Sequence, residues 1–448
     1  MTVASRLWTA LTGGPAPPVE VTGAETVLPG PYRVAAAAAA AIGVTTYAAG
    51  ELLRLRGIDP GRVAVDTRHA AAAFRSEHHV LVDGAVPGEA WAPLSDVYRA
   101  ADGWVRLHCN YSHHAAAACR ALGVPEERDA LAAAVRDRAA EDVQEAVVAA
   151  GGAAAALRSR AAWRAHPQGA AVRTLPPVRF DPLGGTPPEP LPSGDRPLNG
   201  VRVLDLTHVI AGPVAGRTLA AHGADVLRIG AARLPALPLL DADTGLGKRS
   251  AHLDLRTDEG RAALWRLVRE ADVLIQSYRP GALAAWGFGP RQLAEARPGL
   301  VVVDISAYGW TGPWAERRGF DSLVQLASGL AHDPGSARPR PLPAQALDHA
   351  TGWLAATAAM LGLRRRAMTG GGTHARLALA GTAEWLDSLG RLDGDGAYPD
   401  VSDLLVRTPG PLGTVTHVAP PGVLPAAPPR WLRGSPVPGA DPAAWPRE

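Results

Sequence analysis

The 448-residue sequence is short of net charge, of cysteine and of long apolar runs near its start. Forty-five basic residues stand against 43 acidic ones, a formal charge of +2. A dedicated nucleic-acid binder concentrates positive charge, so that class is excluded, and an anionic ligand has to be met by local groups. Only Cys109 and Cys119 occur. No disulfide framework can be built from them, and free thiols suit a reducing compartment, so the cytoplasm is the expected location. Residues 1–18 lack a long apolar core, and the Ala-rich run 34–43 is too short to cross a bilayer. Neither a signal peptide nor a membrane partner is expected. There is no Walker-type phosphate loop, and the turn 207–213 lacks a Gly-x-Gly-x-x-Gly fingerprint, which weakens an ATP or nicotinamide reading. Cys109, His113, His114 and Cys119 lack the paired spacing of a zinc site, and structural roles are expected for them.

What is present is a hydrophobic fraction of 47% with 20% charged residues, enough to bury large cores in two domains. Seven prolines between residues 172 and 197 prevent continuous helix or central strand and mark a linker. Before it, residues 1–171 read as an Ala-rich, mainly helical domain. After it, residues 197–448 read as α/β with a Pro-rich tail: strand-like runs at 201–206, 225–229, 272–278 and 300–306 alternate with amphipathic segments, one capped by Thr257. Strands joined through helices lie parallel, and ligands of such sheets bind beyond the strands' C-terminal ends. Those ends are 207–211, 277–278 and 306–308. Residues 33–43 with 62–66 also resemble 351–362 with 376–380, either a remnant duplication, aligned on Gly43 and Gly362, or a coincidence of Ala-rich helices.

The order of motifs carries a family resemblance. Asn199-Gly200-Val201-Arg202-Val203-Leu204-Asp205 running to Gly212-Pro213 comes first, then Gly223-Ala224-Asp225-Val226, Gly247-Lys248-Arg249-Ser250 and Leu253-Asp254-Leu255. Ala271-Asp272-Val273-Leu274, Ser277-Tyr278-Arg279-Pro280-Gly281, Ser306-Ala307-Tyr308-Gly309, Thr311-Gly312-Pro313 and Gly319-Phe320-Asp321 with Gln325 follow. This series resembles the family III CoA-transferases, the CaiB/BaiF group, across residues 197–387. The stretch 97–123, with Ala101-Asp102-Gly103-Trp104-Val105, resembles their later, small domain, so the order of regions looks rearranged. The resemblance implies a Rossmann-like parallel sheet domain and a smaller, mainly helical N-terminal domain.

It also implies a catalytic aspartate just before an apolar helix, and Asp348 stands there. Alone, an aspartate ahead of Trp353 and Leu354 reads first as a helix N-cap, and its position in the ordered motif series turns the reading to catalysis. The two roles are compatible, because a helix N-terminus favours an ionised carboxylate. One active aspartate per chain is expected, since the duplicated stretch offers Pro29 at this point. CoA contacts carry over onto Val209, Ile210 and Ala211 near adenine, Lys248 and Arg249 near phosphates, and Ser277, Tyr278 and Tyr308 along the groove. Two expected basic contacts are missing at 230–231 and 285–286.

No permanently bound cofactor or metal is implied. The substrates are a coenzyme A thioester and a carboxylate, exchanged through a mixed anhydride and an aspartyl-CoA thioester. Two alternatives stand beside this: an α-methylacyl-CoA racemase, which Phe320 disfavours where such relatives carry histidine and for which His349 would have to substitute, and a catalytically silent CoA-binding protein. The family's interlocked assembly implies a homodimer in which the N-terminal part of one chain enters the partner's cleft.

Overall fold

The computed structural model describes residues 1–446. Its centre is a seven-stranded sheet in the order Arg249–His252, Asp225–Gly230, Arg202–Leu206, Val273–Gln276, Val301–Ser306, Gly372–Ala378 and Arg179–Leu183. The first six are parallel, and Arg179–Leu183 closes the edge antiparallel to Gly372–Ala378. Val301–Ser306 is buried along its whole length, as β-branched residues covered on both faces of a sheet should be. The anticipated strands are therefore present, displaced by one or two residues at their ends. Thr257 caps its helix as expected, its side chain accepting from Gly260 N–H.

The Pro-rich stretch is more than a linker. Its Pro182 sits opposite Thr373 in the antiparallel pair, a place where a strand without an N–H is tolerated because it lies on the outermost edge.

The packing also departs from the expected boundary at 171. Residues 4–74 share one hydrophobic cluster with one face of the sheet and with the helix Ala346–Thr369. The unit with a core of its own runs from Leu94 to Ala156: a three-stranded sheet of Asp96–Arg99, Trp104–Leu107 and Ala154–Ala156 under three helices. The Ala-rich run belongs to the helix Val34–Leu55, 22 residues long and apolar enough to cross a membrane by composition, but with 89% of its apolar window buried in protein. It lies against Ala346–Thr369 in the middle of the molecule. At the far end of the chain the hairpin Leu405–Gly410 and Gly413–Val418 pairs with Leu81–Val82, and Trp445 packs on the sheet's other face. Residues 447–448 lie outside the described part.

Candidate active site

Three strands of the sheet end at one cleft. Its floor is Leu206 from the first strand, Ser277 and Tyr278 after the second, and Ile305, Ser306 and Ala307 from the third. The helix Ala211–Ala221 points its N-terminus at the cleft through Val209, Ala211 and Gly212. Val209 has a φ of +72°, a conformation costly for a β-branched residue, which the tight strand-to-helix turn imposes. The cleft is about 230 Å3.

Asp348 lines the cleft's inner wall, 6% exposed. It is the third residue of the helix Ala346–Thr369, inside the first turn rather than at the cap. The cap comes from elsewhere. Asp321 Oδ2 accepts the N–H groups of Leu347 (2.8 Å) and Asp348 (2.9 Å). One turn along, Gln325 donates to Asp321, and its Oε1 accepts Leu342 N–H at 2.7 Å. Two side chains four residues apart thus hold the loop that delivers Asp348. Both stood in the Gly-Phe-Asp motif, but their task was not readable there.

The electrostatics reverse one expectation. Burial, reinforced by the charges of Asp321 and Glu77, raises the Asp348 carboxyl well above its ordinary value, opposing the ionisation that a helix N-terminus favours. Burial also raises Asp321, to about 6, against the pull of its three hydrogen-bond donors. For Glu77 burial again acts upward, but His349 outweighs it and sets the carboxyl at about 2. His349 Nε2 bonds Glu77 Oε2 at 3.0 Å and its ring stacks on Phe74. It is fully buried, turned from the cleft, and cannot act as a base on a ligand there.

Several further contacts need correcting. Lys248 is buried: its Nζ donates to Asp205 Oδ2 at 2.7 Å and to the Pro213 carbonyl at 2.8 Å. Asp205 lies fully buried on a central strand and takes this lysine as its counter-ion, which removes it from phosphate binding. Arg249, on the opposite edge strand, pairs with Asp225 and donates to the Ala444 carbonyl. Tyr308 is 1% exposed under Trp314 and does not line the cleft; burial raises its hydroxyl to about 12. Ile210 is buried behind the turn. Val209, Ala211, Ser277, Tyr278 and Asp348 do come together.

The positive charge at the mouth comes instead from Arg279, exposed and without an ion pair among the described residues, and from Arg318, which donates to the Gly151 carbonyl. Arg233, in the loop after Asp225–Gly230, lies outside the cleft lining, but its charge acts on both Tyr278 and His208. Arg279 lay inside a quoted motif, the one available signal for it.

The roof comes from the same chain's N-terminal part. Tyr111 and His114 line the cleft, and Phe320 lies flat on His108 with centroids 3.6 Å apart. The expected contribution from a partner's N-terminal part is thus made in cis, because the small unit folds back over the sheet ends of its own chain.

An open parallel sheet with a buried carboxylate beside a helix N-terminus, ringed by arginines at the mouth, defines an α/β scaffold for an anionic ligand. The sequence pattern of CoA-transferase family III matches residues 3–178 and 198–389, and the chain belongs to that family. An acyl-CoA transferase of Gibberella moniliformis is 29% identical over 429 residues, covering 84% of this chain and 74% of the relative. A succinate–glutarate CoA-transferase of Agrobacterium fabrum is 34% identical over 209 residues, 42% of this chain and 52% of the relative. A probable fatty acyl-CoA transferase of Mycobacterium tuberculosis is 34% identical over 190 residues, 39% of this chain and 48% of the relative. The chain thus spans about half the length of the two bacterial relatives. Among solved structures, a CAIB/BAIF family protein from Brucella suis aligns at 27% identity and a TM-score of 0.40, over 49% of this chain and 65% of the other.

Proposed function

We propose that the protein is an acyl-CoA:carboxylate CoA-transferase with Asp348 as nucleophile. The observation that carries this is the carboxyl itself, buried, without a side-chain hydrogen-bond partner among the described residues, and placed where three strand ends and a helix N-terminus converge. A carboxylate of raised pKa is the more basic and the stronger nucleophile once ionised.

In the forward exchange, ionised Asp348 attacks the thioester carbonyl, the carbon–sulfur bond breaks, and CoA leaves as thiolate. The thiolate then attacks the Asp348 carbonyl of the mixed anhydride, which releases the donor carboxylate and leaves aspartyl-CoA. An acceptor carboxylate attacks this thioester and expels the thiolate again. Its return to the acceptor's carbonyl forms the product thioester and frees Asp348. Each step trades one activated acyl group for another, so no nucleotide hydrolysis is needed. The N–H groups at the start of Ala211–Ala221 are the available donors for the oxyanions. Arg233, Arg279 and Arg318 are the groups we assign to CoA phosphates in place of Lys248 and Arg249.

Racemisation needs two acid/base groups across one carbon, and with His349 held by Glu77 and phenylalanine at 320 the reading is weaker. Free, buried Cys109 and Cys119 support a reducing compartment. The test is a panel of acyl-CoA donors with succinate or another small carboxylate as acceptor. Exchange of CoA between carboxylates supports the proposal; exchange of the α-proton without transfer supports the racemase instead.

A further inference from the structure

The molecule contains the same unit twice. The helix Val34–Leu55 is followed by the strand Ala64–Asp66 and the helix Thr67–Ala73; the helix Ala346–Thr369 is followed by Gly372–Ala378 and Leu379–Ser388. Helix starts and strand ends match at one displacement of 312 residues, that of Thr45 and Thr357, whose hydroxyls share a hydrogen bond of 2.8 Å. Contact between equivalent residues is what a two-fold axis requires. Glu51 and Arg364, ion-paired at 3.3 Å, place the C-terminal halves of the two helices side by side. The preceding strands agree too: Thr22 pairs in parallel with Asp66, and Ser306 with Ala378. The register corrects the alignment on Gly43 by seven residues. Gly50 matches Gly362, and the residue matching Asp348 is Ala36 rather than Pro29.

The cleft is duplicated with the unit. A hollow of about 320 Å3 is lined by Ala36, Val21, Gly23 and Thr67, the positions that Asp348, Ile305, Ala307 and Leu379 hold around the active cleft. The two copies have kept different remainders. Beside Ala36 the strand Glu20–Thr22 belongs to a two-stranded sheet, without counterparts of Arg202–Leu206 or Asp225–Gly230 among the described residues. After the second copy comes a hairpin, Leu405–Gly410 and Gly413–Val418, matching Asp96–Arg99 and Trp104–Leu107, but among the described residues no helices like those over the first. The active cleft draws on both: the sheet ends and Asp348 from the second, Tyr111 and His114 from the first, with Glu77 behind.

We infer that the chain is a two-fold dimer compressed into one polypeptide: Val34–Leu55 occupies the seat against Ala346–Thr369 that an identical helix of a second copy would take. The chain therefore completes one site alone and works as a monomer. Only the identity of the reacting cleft rests on the proposed function; the assembly does not.

Light scattering on the full chain, with and without CoA, tests the assembly directly. The expected mass is that of one chain, 46.5 kDa; twice that mass overturns the inference. A mixing experiment is the second arm. Inactive Asp348→Ala and a variant crippled in the roof, Tyr111→Ala with His114→Ala, are combined; two chains sharing sites regain activity, whereas self-contained chains stay inactive. Regained activity overturns the inference. A monomer that binds CoA but transfers nothing contradicts the proposed function and leaves the assembly standing.

Discussion

The helices Val34–Leu55 and Ala346–Thr369 are equivalent in position and unlike in use. Neither has a side-chain cap of its own. The second receives one through space from Asp321, which also fixes the peptide groups beside Asp348. Its first turn faces the ends of parallel strands, whereas Ala36 faces a short ladder. The difference teaches that a helix start is not a site. The acid draws on burial and then carboxylate neighbours to raise its pKa, a capping group to orient it and a sheet edge to seat the ligand.

Several variants would break or sharpen the contrast. Asp348→Ala should lower transfer on the order of 10^4-fold or more, the scale of removing a covalent nucleophile, while CoA titration changes little. Ala36→Asp should add no activity in that background, since the first cleft lacks strands to hold the nucleotide. Next in size, Lys248→Met should cost roughly 3–5 kcal/mol of stability in denaturant unfolding by leaving Asp205 uncompensated in the core. Arg279→Ala should leave the unfolding midpoint in place and weaken CoA binding by about 1–3 kcal/mol; the reverse pattern would return Lys248 to the phosphates.

At matching positions of the two helices, Gly352 and Ala40 should also differ. A Cβ on Gly352 would lie 2.4 Å from the Ala211 carbonyl oxygen, so Gly352→Ala should cost about 1–3 kcal/mol. Ala40→Gly should cost only about 1 kcal/mol in helix propensity.

The smallest effect is on pH. Asp348 is raised above its unfolded value, so its contribution to stability is full below the ordinary carboxylate pKa and is lost as pH rises through the folded pKa. Asp348→Asn should therefore gain in melting temperature on wild type with rising pH. An offset that does not change with pH would remove the buried acid from the account. In the same direction, Glu77→Gln should move the acid limb of kcat/KM to lower pH, because one of the charges raising Asp348 is gone.

Much of the sheet was legible, because fully buried β-branched runs such as 301–306 have few other uses. The place of Asp348 at the cleft was legible from the order of motifs around it, whereas its helix-cap reading was not upheld, because Asp321 supplies the cap. The phosphate contacts were misread for a physical reason: a lysine in a turn ahead of a strand looks the same whether it faces ligand or a buried aspartate 43 residues earlier, and only packing pairs Lys248 with Asp205. The duplication was visible, yet its register slipped by seven residues. Two helical turns in an Ala-rich helix preserve the same face, so the pattern could not distinguish one alignment from the other. The packing across the boundary at 171 was not legible either, since a helix buried against its own twin carries no mark of which sheet it covers.

The most direct test of the central claim is peptide mass spectrometry of the protein quenched during turnover with an acyl-CoA donor. The account predicts one CoA thioester per chain, on the peptide that contains Asp348, with the peptide containing Ala36 unmodified. Turnover without that adduct, or the adduct on another carboxylate, would contradict it.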